Sequence, residues 1–234
     1  MTRELPPPVQ VRLSETVRDY WLDRVRQHTE DSYAGIPLSK FPEDLRTYEH
    51  LIWDAHPQVV IEIGVQHGAS ALWFRDRLRT LESYGRIASH RVVGIDIDVA
   101  AARANVERAD PSWSASIELI EGDVLDPELP ERVRSVVPDG SPCLVIEDSL
   151  HTYETTAAAL RGFAGLVQPG GYFVVEDGCV DIEEMRLSDD WPRGVIPAIE
   201  EWLATDAGKR FTVRRDLELY GVSCHPHGFL QRVR

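Results

Sequence analysis

The 234-residue chain lacks the patterns that mark secreted and membrane-spanning proteins. Its three cysteines are widely spaced and form no CxxC pair, which argues against a disulfide framework and against a thiolate zinc site. No apolar run approaches the roughly 20 residues that a membrane-spanning helix needs, and the opening MTRELPPPVQ has no signal-peptide apolar region. We therefore expect reduced thiols at Cys143, Cys179 and Cys224 and a cytoplasmic location.

Positive charge is also scarce. Lys and Arg together number 25 against 39 Asp and Glu, so the formal net charge is -14. A chain of this charge repels phosphate backbones and anionic lipid surfaces, which makes nucleic acid and membranes poor partners. The length suits one large domain with a substantial core. We expect the substrate to be a compact small molecule.

The chain divides into two regions near Pro57. Residues 1–56 contain a proline-rich arm at Pro6–Pro8 and two helical patterns, the first with Ser14 as its expected N-cap. Residues 57–234 alternate short β-branched runs with helical segments. The expected strands are VVIEIG, RVVGID, SIELIEG, CLVIED, GYFVVED, RFTVRR and GFLQRV. The predicted fold class is α/β, with a doubly wound, Rossmann-like, mostly parallel seven-stranded sheet covered by helices on both faces.

The first expected strand ends in an acidic, glycine-containing turn. Glu62 and Gly64 lie at its end, and Gly68 and Ser70 lead into the next helix. Doubly wound sheets bind ligands at this turn, where glycine permits a tight turn and the helix N-terminus offers free amides. The spacing lacks the third glycine of GxGxxG, and Glu62 would repel a pyrophosphate but attract an ammonium group. A purely steric role for the two glycines is the alternative.

Acidic residues also end the second and third expected strands. Asp96 follows the second strand, where a carboxylate commonly accepts hydrogen bonds from ribose hydroxyls. Asp123 and Val124 follow the third strand, where a carboxylate and the backbone can reach the exocyclic amine of an adenine. Taken singly, Asp96 also fits a helix cap and Asp123 an ordinary polar turn. Together with Glu62 they favour a nucleoside ligand with a cationic end, such as S-adenosylmethionine.

Three further carboxylates end the fourth and fifth expected strands. Asp148 follows the fourth strand, and Glu176 and Asp177 follow the fifth. Because neighbouring parallel strands lie about 5 Å apart, these groups converge and repel one another unless a cation neutralises them. Oxygen ligands favour a hard cation, Mg²⁺ first, with Mn²⁺ or Ca²⁺ as alternatives. A solvated acidic loop is the competing interpretation for Glu176 and Asp177.

His151 is the candidate catalytic base. It lies just beyond the fourth strand, shortly after Asp148. An imidazole exchanges protons near neutral pH, so it is suited to take the proton of a hydroxyl held by the cation. A helix-capping or surface role fits the same position.

These motifs resemble those of the cephalosporin hydroxylase family of S-adenosylmethionine-dependent methyltransferases, which also includes rhamnosyl O-methyltransferases. The resemblance extends from about residue 33 to the end of the chain. It rests on the stretches Gly35-Ile36-Pro37, Val60-Ile61-Glu62-Ile63-Gly64-Val65, Gly94-Ile95-Asp96-Ile97-Asp98, Asp148-Ser149-Leu150-His151, Gly170-Gly171-Tyr172, Val174-Val175-Glu176-Asp177, Ala198-Ile199, Trp202-Leu203 and Gly228-Phe229-Leu230.

The resemblance implies a methyltransferase domain over residues 57–234 that transfers a methyl group to a sugar hydroxyl in secondary metabolism. It implies Mg²⁺ on Asp148, Glu176 and Asp177, with His151 as the base, and a homo-oligomer. The segment 191–195 departs from the glycine-rich run of the family, and we expect it to shape the acceptor pocket. The acceptor is then a sugar on a nucleotide or on a glycosylated natural product. An N- or catechol-type O-methyltransferase of an antibiotic pathway and a non-catalytic nucleotide-binding relative are the alternatives.

Overall fold

The computed structural model describes residues 14–233, so the arm expected at Pro6–Pro8 lies outside the described part of the chain. Helix α1 spans Val17–His28. The Thr16 hydroxyl accepts a hydrogen bond from the Asp19 backbone N–H at 3.1 Å, and the Asp19 carboxylate accepts one from the Thr16 backbone. The prediction of Ser14 as the N-cap is therefore wrong, because this reciprocal capping box begins the helix at Thr16.

A short hairpin and a second helix follow α1. Strands β1 (Ser32–Tyr33) and β2 (Ile36–Pro37) pair antiparallel just after α1. Helix α2 spans Pro42–Ala55, with proline in its first turn, where the missing N–H has no helical partner to lose.

The central sheet has the seven expected strands. They are β3 (Val59–Ile63), β4 (Arg91–Asp96), β5 (Ile117–Glu121), β6 (Cys143–Glu147), β7 (Tyr172–Val175), β8 (Phe211–Val213) and β9 (Phe229–Arg232). Their order is β5-β4-β3-β6-β7-β9-β8. The first five are parallel, whereas β9 is antiparallel to both β7 and β8. The strand order reverses between β3 and β6, and ligands bind at such a point in doubly wound sheets.

Helices cover both faces of the sheet, which confirms the predicted fold class. The remaining helices are α3 (Ala69–Ser83), α4 (Ala100–Ala109), α5 (Leu129–Arg134), α6 (Tyr153–Phe163) and α7 (Val195–Leu203). One buried layer joins α1, α5, α6 and α7 to residues such as Ile61 and Phe173 of the sheet. The other joins α2, α3 and α4 to residues such as Val60 and Val174. The N-terminal helices thus pack into the same cores as the sheet.

Side chains of a strand point alternately to the two faces of the sheet, and both faces are buried under helices, so the strand sequences are almost continuously apolar. Val59, Ile61 and Ile63 enter one core, whereas Val60 enters the other. Since both faces are covered, both sets are buried. The sequence patterns did not predict α5, because its 6 residues are too few to establish a helical period. Within residues 14–233, no helix is both long enough and apolar enough to span a bilayer.

Gly64 provides a test of the packing at the first turn. It has φ +97°, and a Cβ atom there would lie 1.9 Å from the backbone oxygen of Asp148. We expect Gly64→Ala to lower the free energy of unfolding in urea by about 2–4 kcal/mol, from a left-handed backbone conformation together with overpacking.

Gly85→Ala is the matched control, because Gly85 has φ +68° but a Cβ atom added there would meet no other atom within 4 Å. It should show only the conformational cost of about 1–2 kcal/mol. Equal destabilisation of the two variants would mean that the close approach of the Asp148 backbone adds nothing to the cost of a side chain at position 64.

Candidate functional site

A cavity of about 320 Å³ opens at the carboxyl ends of β3, β4, β5 and β6. We call it the main cavity, and its volume lies within the range of about 300–1,000 Å³ that small-molecule sites occupy. The predicted site residues that line it are Gly64, Asp96, Asp123, Val124, Asp148, His151 and Asp177. The predicted site residues that do not line it are Glu62, Gly68, Ser70 and Glu176.

Asp96 and Asp123 organise the loops that border the main cavity. The Asp96 carboxylate accepts a hydrogen bond from the Gln66 backbone N–H at 2.8 Å, which ties the turn after β3 to the end of β4. The Asp123 carboxylate accepts one from the Leu125 backbone N–H at 2.9 Å, so it also forms a local turn. A carboxylate can accept several hydrogen bonds, so both groups remain able to receive ligand donors.

Glu62 lies inside the protein rather than on the cavity wall. Its side chain is fully buried, and neither carboxylate oxygen has a hydrogen-bond partner within residues 14–233. Burial raises the pKa of Glu62 to about 7, although the nearby Lys40 ammonium, 3.6 Å from Oε1, lowers it. Because Glu62 is paired with Lys40 and does not line the main cavity, its predicted role in receiving a ligand ammonium stays a prediction.

Gly68 and Ser70 contribute differently to the turn before α3. A Cβ atom at Gly68 would lie 2.7 Å from the Val106 side chain of α4, so the missing side chain allows helix packing, as the steric alternative expects. Ser70 borders a small cavity of about 30 Å³ that shares Gly64 with the main cavity and extends to Lys40.

Lys40 makes the closest charged contacts to the predicted carboxylates, and the sequence patterns did not identify it. Its ammonium lies 2.8 Å from Asp148 Oδ2 and 2.7 Å from Glu176 Oε1. The side chain is only 4% exposed. Burial alone would lower the pKa of Lys40, but Asp148, Glu176 and Glu62 raise it well above its ordinary value. The rarity of lysine was the one feature of the sequence that could have drawn attention to Lys40, since Lys40 and Lys209 are the only lysines of the chain.

Glu176 is bound by side chains of the protein itself. Its Oε1 accepts hydrogen bonds from Lys40 and, at 2.5 Å, from the Tyr48 hydroxyl, whereas Oε2 lies 3.8 Å from Nε2 of His225. Burial alone would raise the pKa of Glu176, but Lys40 and His225 lower it to about 2. Glu176 is therefore a charged, buried acceptor, and its predicted role as a metal ligand would require exchange of the Lys40 contact for a cation.

Asp148, His151 and Asp177 form a cluster at the wall of the main cavity. One ligand atom from each lies within 4.8 Å of the other two. His151 Nε2 is 3.2 Å from Asp177 Oδ2 and 4.0 Å from Asp148 Oδ1. Burial and the Glu176 charge raise the pKa of Asp148 well above its ordinary value, against the effect of Lys40. The two carboxylates supply oxygen atoms that fit a hard divalent cation, and the His151 imidazole lies beside them.

The backbone around this cluster explains the orientation of its side chains. Helix α6 is capped by the Thr152 side chain, so the helix-capping alternative does not describe His151. His151 and Asp177 both have φ near +57°, and they face each other across the ends of β6 and β7. The Asp177 backbone N–H donates to Nδ1 of His225 at 3.1 Å, which holds this left-handed residue in place.

Removal of Lys40 should destabilise the protein strongly. In Lys40→Met, the buried carboxylates Glu62 and Glu176 lose their neighbouring cation. Breaking a buried ion pair on one side costs about 3–5 kcal/mol, so we expect a loss of that size in the free energy of unfolding, measured in urea with EDTA present.

Lys209→Met is the matched control. The Lys209 side chain is 65% exposed and pairs with the exposed Asp206, so its loss should change stability by less than about 1 kcal/mol. Similar stabilities for the two variants would contradict the role of Lys40 as the cation that neutralises this cluster.

Comparison with known proteins assigns the family. The profile described as Rhamnosyl O-methyltransferase/CmcI matches residues 25–233. The rhamnosyl O-methyltransferase of Mycobacterium tuberculosis H37Rv is 24% identical over 206 residues, which are 87% of this chain and 79% of that protein. The protein of the same name from Mycobacterium leprae is 26% identical over 147 residues, covering 62% of this chain and 59% of that protein.

Several solved structures share the fold of this chain. The structure cmcI-D160 Mg-SAM has a TM-score of 0.63 at 21% identity and covers 98% of this chain and 90% of its own. CalS11, a TDP-rhamnose 3'-O-methyltransferase of calicheamicin biosynthesis, has a TM-score of 0.56 at 22% identity, covering 81% and 78%. An O-methyltransferase from Bacillus cereus in complex with SAH has a TM-score of 0.56 at 19% identity, covering 93% and 91%. The chain belongs to the rhamnosyl O-methyltransferase/CmcI family of S-adenosylmethionine-dependent methyltransferases.

Proposed function

We propose that this protein is a Mg²⁺-dependent O-methyltransferase that acts on a hydroxyl of a sugar carried by a small molecule. The observation that carries the proposal is the convergence of Asp148, His151 and Asp177 on the wall of the main cavity. The names of the relatives, which include rhamnosyl O-methyltransferases and a TDP-rhamnose 3'-O-methyltransferase, support a sugar acceptor.

The main cavity supplies the cofactor contacts in this proposal. Asp96 receives the ribose hydroxyls, and Asp123 with Val124 borders the adenine, as the strand-end positions predict. Gly64 lets the Asp148 backbone pack closely against the turn at the cavity wall. Attraction of the ammonium end by Glu62 is not part of this proposal, because Glu62 is buried away from the cavity and paired with Lys40. When bound, S-adenosylmethionine supplies an electrophilic methyl group on its sulfonium.

Asp148 and Asp177 would hold the divalent cation, which supplies Lewis acidity that lowers the pKa of an acceptor hydroxyl. His151 Nε2 lies beside both carboxylates and takes the hydroxyl proton as the general base. The role of Glu176 as the third metal ligand stays a prediction, because its Oε1 accepts hydrogen bonds from Lys40 and Tyr48. Binding of the acceptor next to the cofactor orients the two reactants, which lowers the entropic barrier to methyl transfer.

Removal of the divalent cation should abolish methyl transfer. We expect protein dialysed against EDTA to transfer less than about one hundredth of the labelled methyl groups to its acceptor, since the hydroxyl loses its Lewis acid. Added Mg²⁺ should restore the rate. Binding of S-adenosylmethionine, followed by calorimetry in the same EDTA buffer, serves as the control for an intact fold. Undiminished transfer after dialysis would disprove the metal role.

Replacement of His151 should lower the chemical rate without preventing cofactor binding. A general base contributes about 10²–10⁴-fold, so His151→Ala should lower kcat by that factor. His50→Ala is the matched control, because His50 is exposed on α2 and lines neither the main cavity nor the predicted metal site. An unchanged kcat in His151→Ala would reduce His151 to a structural residue.

A further inference from the structure

Two of the three cysteines come together beside the proposed cation site. Cys179 follows β7 and Cys224 precedes β9, and both are free thiols. Their spacing in the sequence argues against a thiolate metal site, but the antiparallel pairing of β7 with β9 brings the two segments side by side. One ligand atom from each of Asp177, Cys179 and Cys224 lies within 4.8 Å of the other two. The folded chain therefore contains a second group of metal-ligating atoms, which shares Asp177 with the first.

Backbone hydrogen bonds hold the two cysteines in place. The Cys179 N–H donates to the Cys224 carbonyl at 3.1 Å. The buried Asp44 carboxylate of α2 accepts hydrogen bonds from the Ser223 hydroxyl at 2.7 Å and from the Cys224 N–H at 3.0 Å. Ligands that the fold already holds in this way lose little conformational freedom when a cation binds.

A cavity of about 140 Å³ gives a cation access to these ligand atoms. We call it the thiol cavity, because Cys179, Cys224 and Asp177 all line it. It shares Asp177 and His151 with the main cavity, so the two spaces meet. The two cysteines are only 3% and 6% exposed, as expected for the closed ligand set of a structural zinc site. The group thus combines closed ligands with an entry path, and a plausible metal site needs both.

The ligand atoms suit a thiophilic cation rather than Mg²⁺. Thiolates favour Zn²⁺, whereas Mg²⁺ prefers oxygen ligands. Zinc binds sulfur at about 2.3 Å and carboxylate oxygen at about 2.0–2.2 Å, usually in a tetrahedron. Ligand atoms of such a tetrahedron lie roughly 3.5–3.8 Å apart. Small movements of the Asp177, Cys179 and Cys224 side chains therefore close the site around the ion.

A neutral thiol pair is stable in this apolar setting. Burial and the neighbouring Cys179 thiol raise the pKa of Cys224 well above its ordinary value, so this thiol is protonated at neutral pH. A protonated cysteine packs as a small apolar side chain. An entering cation displaces the thiol protons and balances the charge of the thiolates. The same two residues can thus pack without metal and act as ligands when a cation enters.

We propose that Asp177, Cys179 and Cys224 form a binding site for a thiophilic divalent cation, Zn²⁺ foremost, and that this thiol site competes with the catalytic cation for Asp177. The thiol site itself is independent of the proposed function, whereas the competition rests on it. Asp177 Oδ2 lies 3.2 Å from His151 Nε2. A zinc ion that draws this carboxylate toward the thiols takes a ligand from the proposed Mg²⁺ site, so zinc binding inhibits methyl transfer.

Cobalt and zinc titrations test the thiol site directly. The protein is reduced, treated with EDTA, desalted and titrated with Co²⁺, whose thiolate charge-transfer absorption requires a sulfur ligand. We expect this absorption with Co²⁺ and its loss when Zn²⁺ is added, because thiolates favour zinc. Cys179→Ser and Cys224→Ser should each weaken Zn²⁺ binding by more than the roughly 10–100-fold that loss of a second-shell partner costs.

Cys143→Ser is the matched control, because Cys143 is buried at the start of β6 and lines neither cavity. It should keep the absorption, and circular dichroism checks that each variant is folded. Absence of the absorption in the wild type, or undiminished absorption in both Cys179→Ser and Cys224→Ser, would overturn the thiol site.

Manganese binding tests the competition for Asp177. Mn²⁺ is bound in place of Mg²⁺ and followed by electron paramagnetic resonance while Zn²⁺ is added. We expect Zn²⁺ to release the bound Mn²⁺, and Cys224→Ser to require a Zn²⁺ concentration at least about tenfold higher. Release at equal concentrations from both proteins, or retention of Mn²⁺, would overturn the competition. Failure of Mn²⁺ to bind at all, with the cobalt absorption present, supports the thiol site and counts against the proposed function instead.

Discussion

The buried ammonium of Lys40 is the interaction on which the geometry of this site depends. It contacts Asp148 at the end of β6 and Glu176 at the end of β7, and it lies 3.6 Å from Glu62 of β3. The carboxylates at these three strand ends repel one another electrostatically. The Lys40 ammonium, contributed by the loop before α2, holds them around one cation. Lys40 balances the charges of those carboxylates. Asp177 pairs with His151 instead, on the other side of the sheet edge.

This division of carboxylates gives the two sides of the sheet edge different chemistry. Glu62, Glu176 and Tyr48 form a buried polar layer on the side of α2 and α3. Asp148 and Asp177 meet His151 at the main cavity. In the proposed function, the cofactor pocket and the cation site therefore share one wall, which brings the two reactants together.

Strand-end reasoning predicted the architecture and much of the site. The alternation of β-branched runs and helical segments located all seven strands, because strands buried on both faces have a clear apolar signature. The same reasoning placed Asp96, Asp123, Asp148 and Asp177 at the main cavity, since the carboxyl ends of parallel strands meet at one edge. Strand-end reasoning could not predict the capping residue of α1 or the short helix α5, because both depend on a few local contacts.

Pleating and long-range contacts account for the rest. Glu62 shares a strand face with Val60, so it turns toward the core on the α2 side rather than into the cavity. Lys40 meets Asp148 and Glu176 across 108 and 136 residues of sequence, a pairing that no local pattern encodes. The packing of α1 against the segment after β7, where Trp21 donates a hydrogen bond to the Met185 carbonyl, is also a tertiary contact.

The most direct test of this account is a crystal structure with S-adenosylhomocysteine and Mn²⁺, in which anomalous scattering locates the cation. The account predicts the nucleoside in the main cavity beside Asp96 and Asp123, with Mn²⁺ bound by Asp148 and Asp177 next to His151. The same map would show whether Glu176 leaves Lys40 to join the ligands. A cation bound elsewhere, or a nucleoside outside the main cavity, would contradict the account.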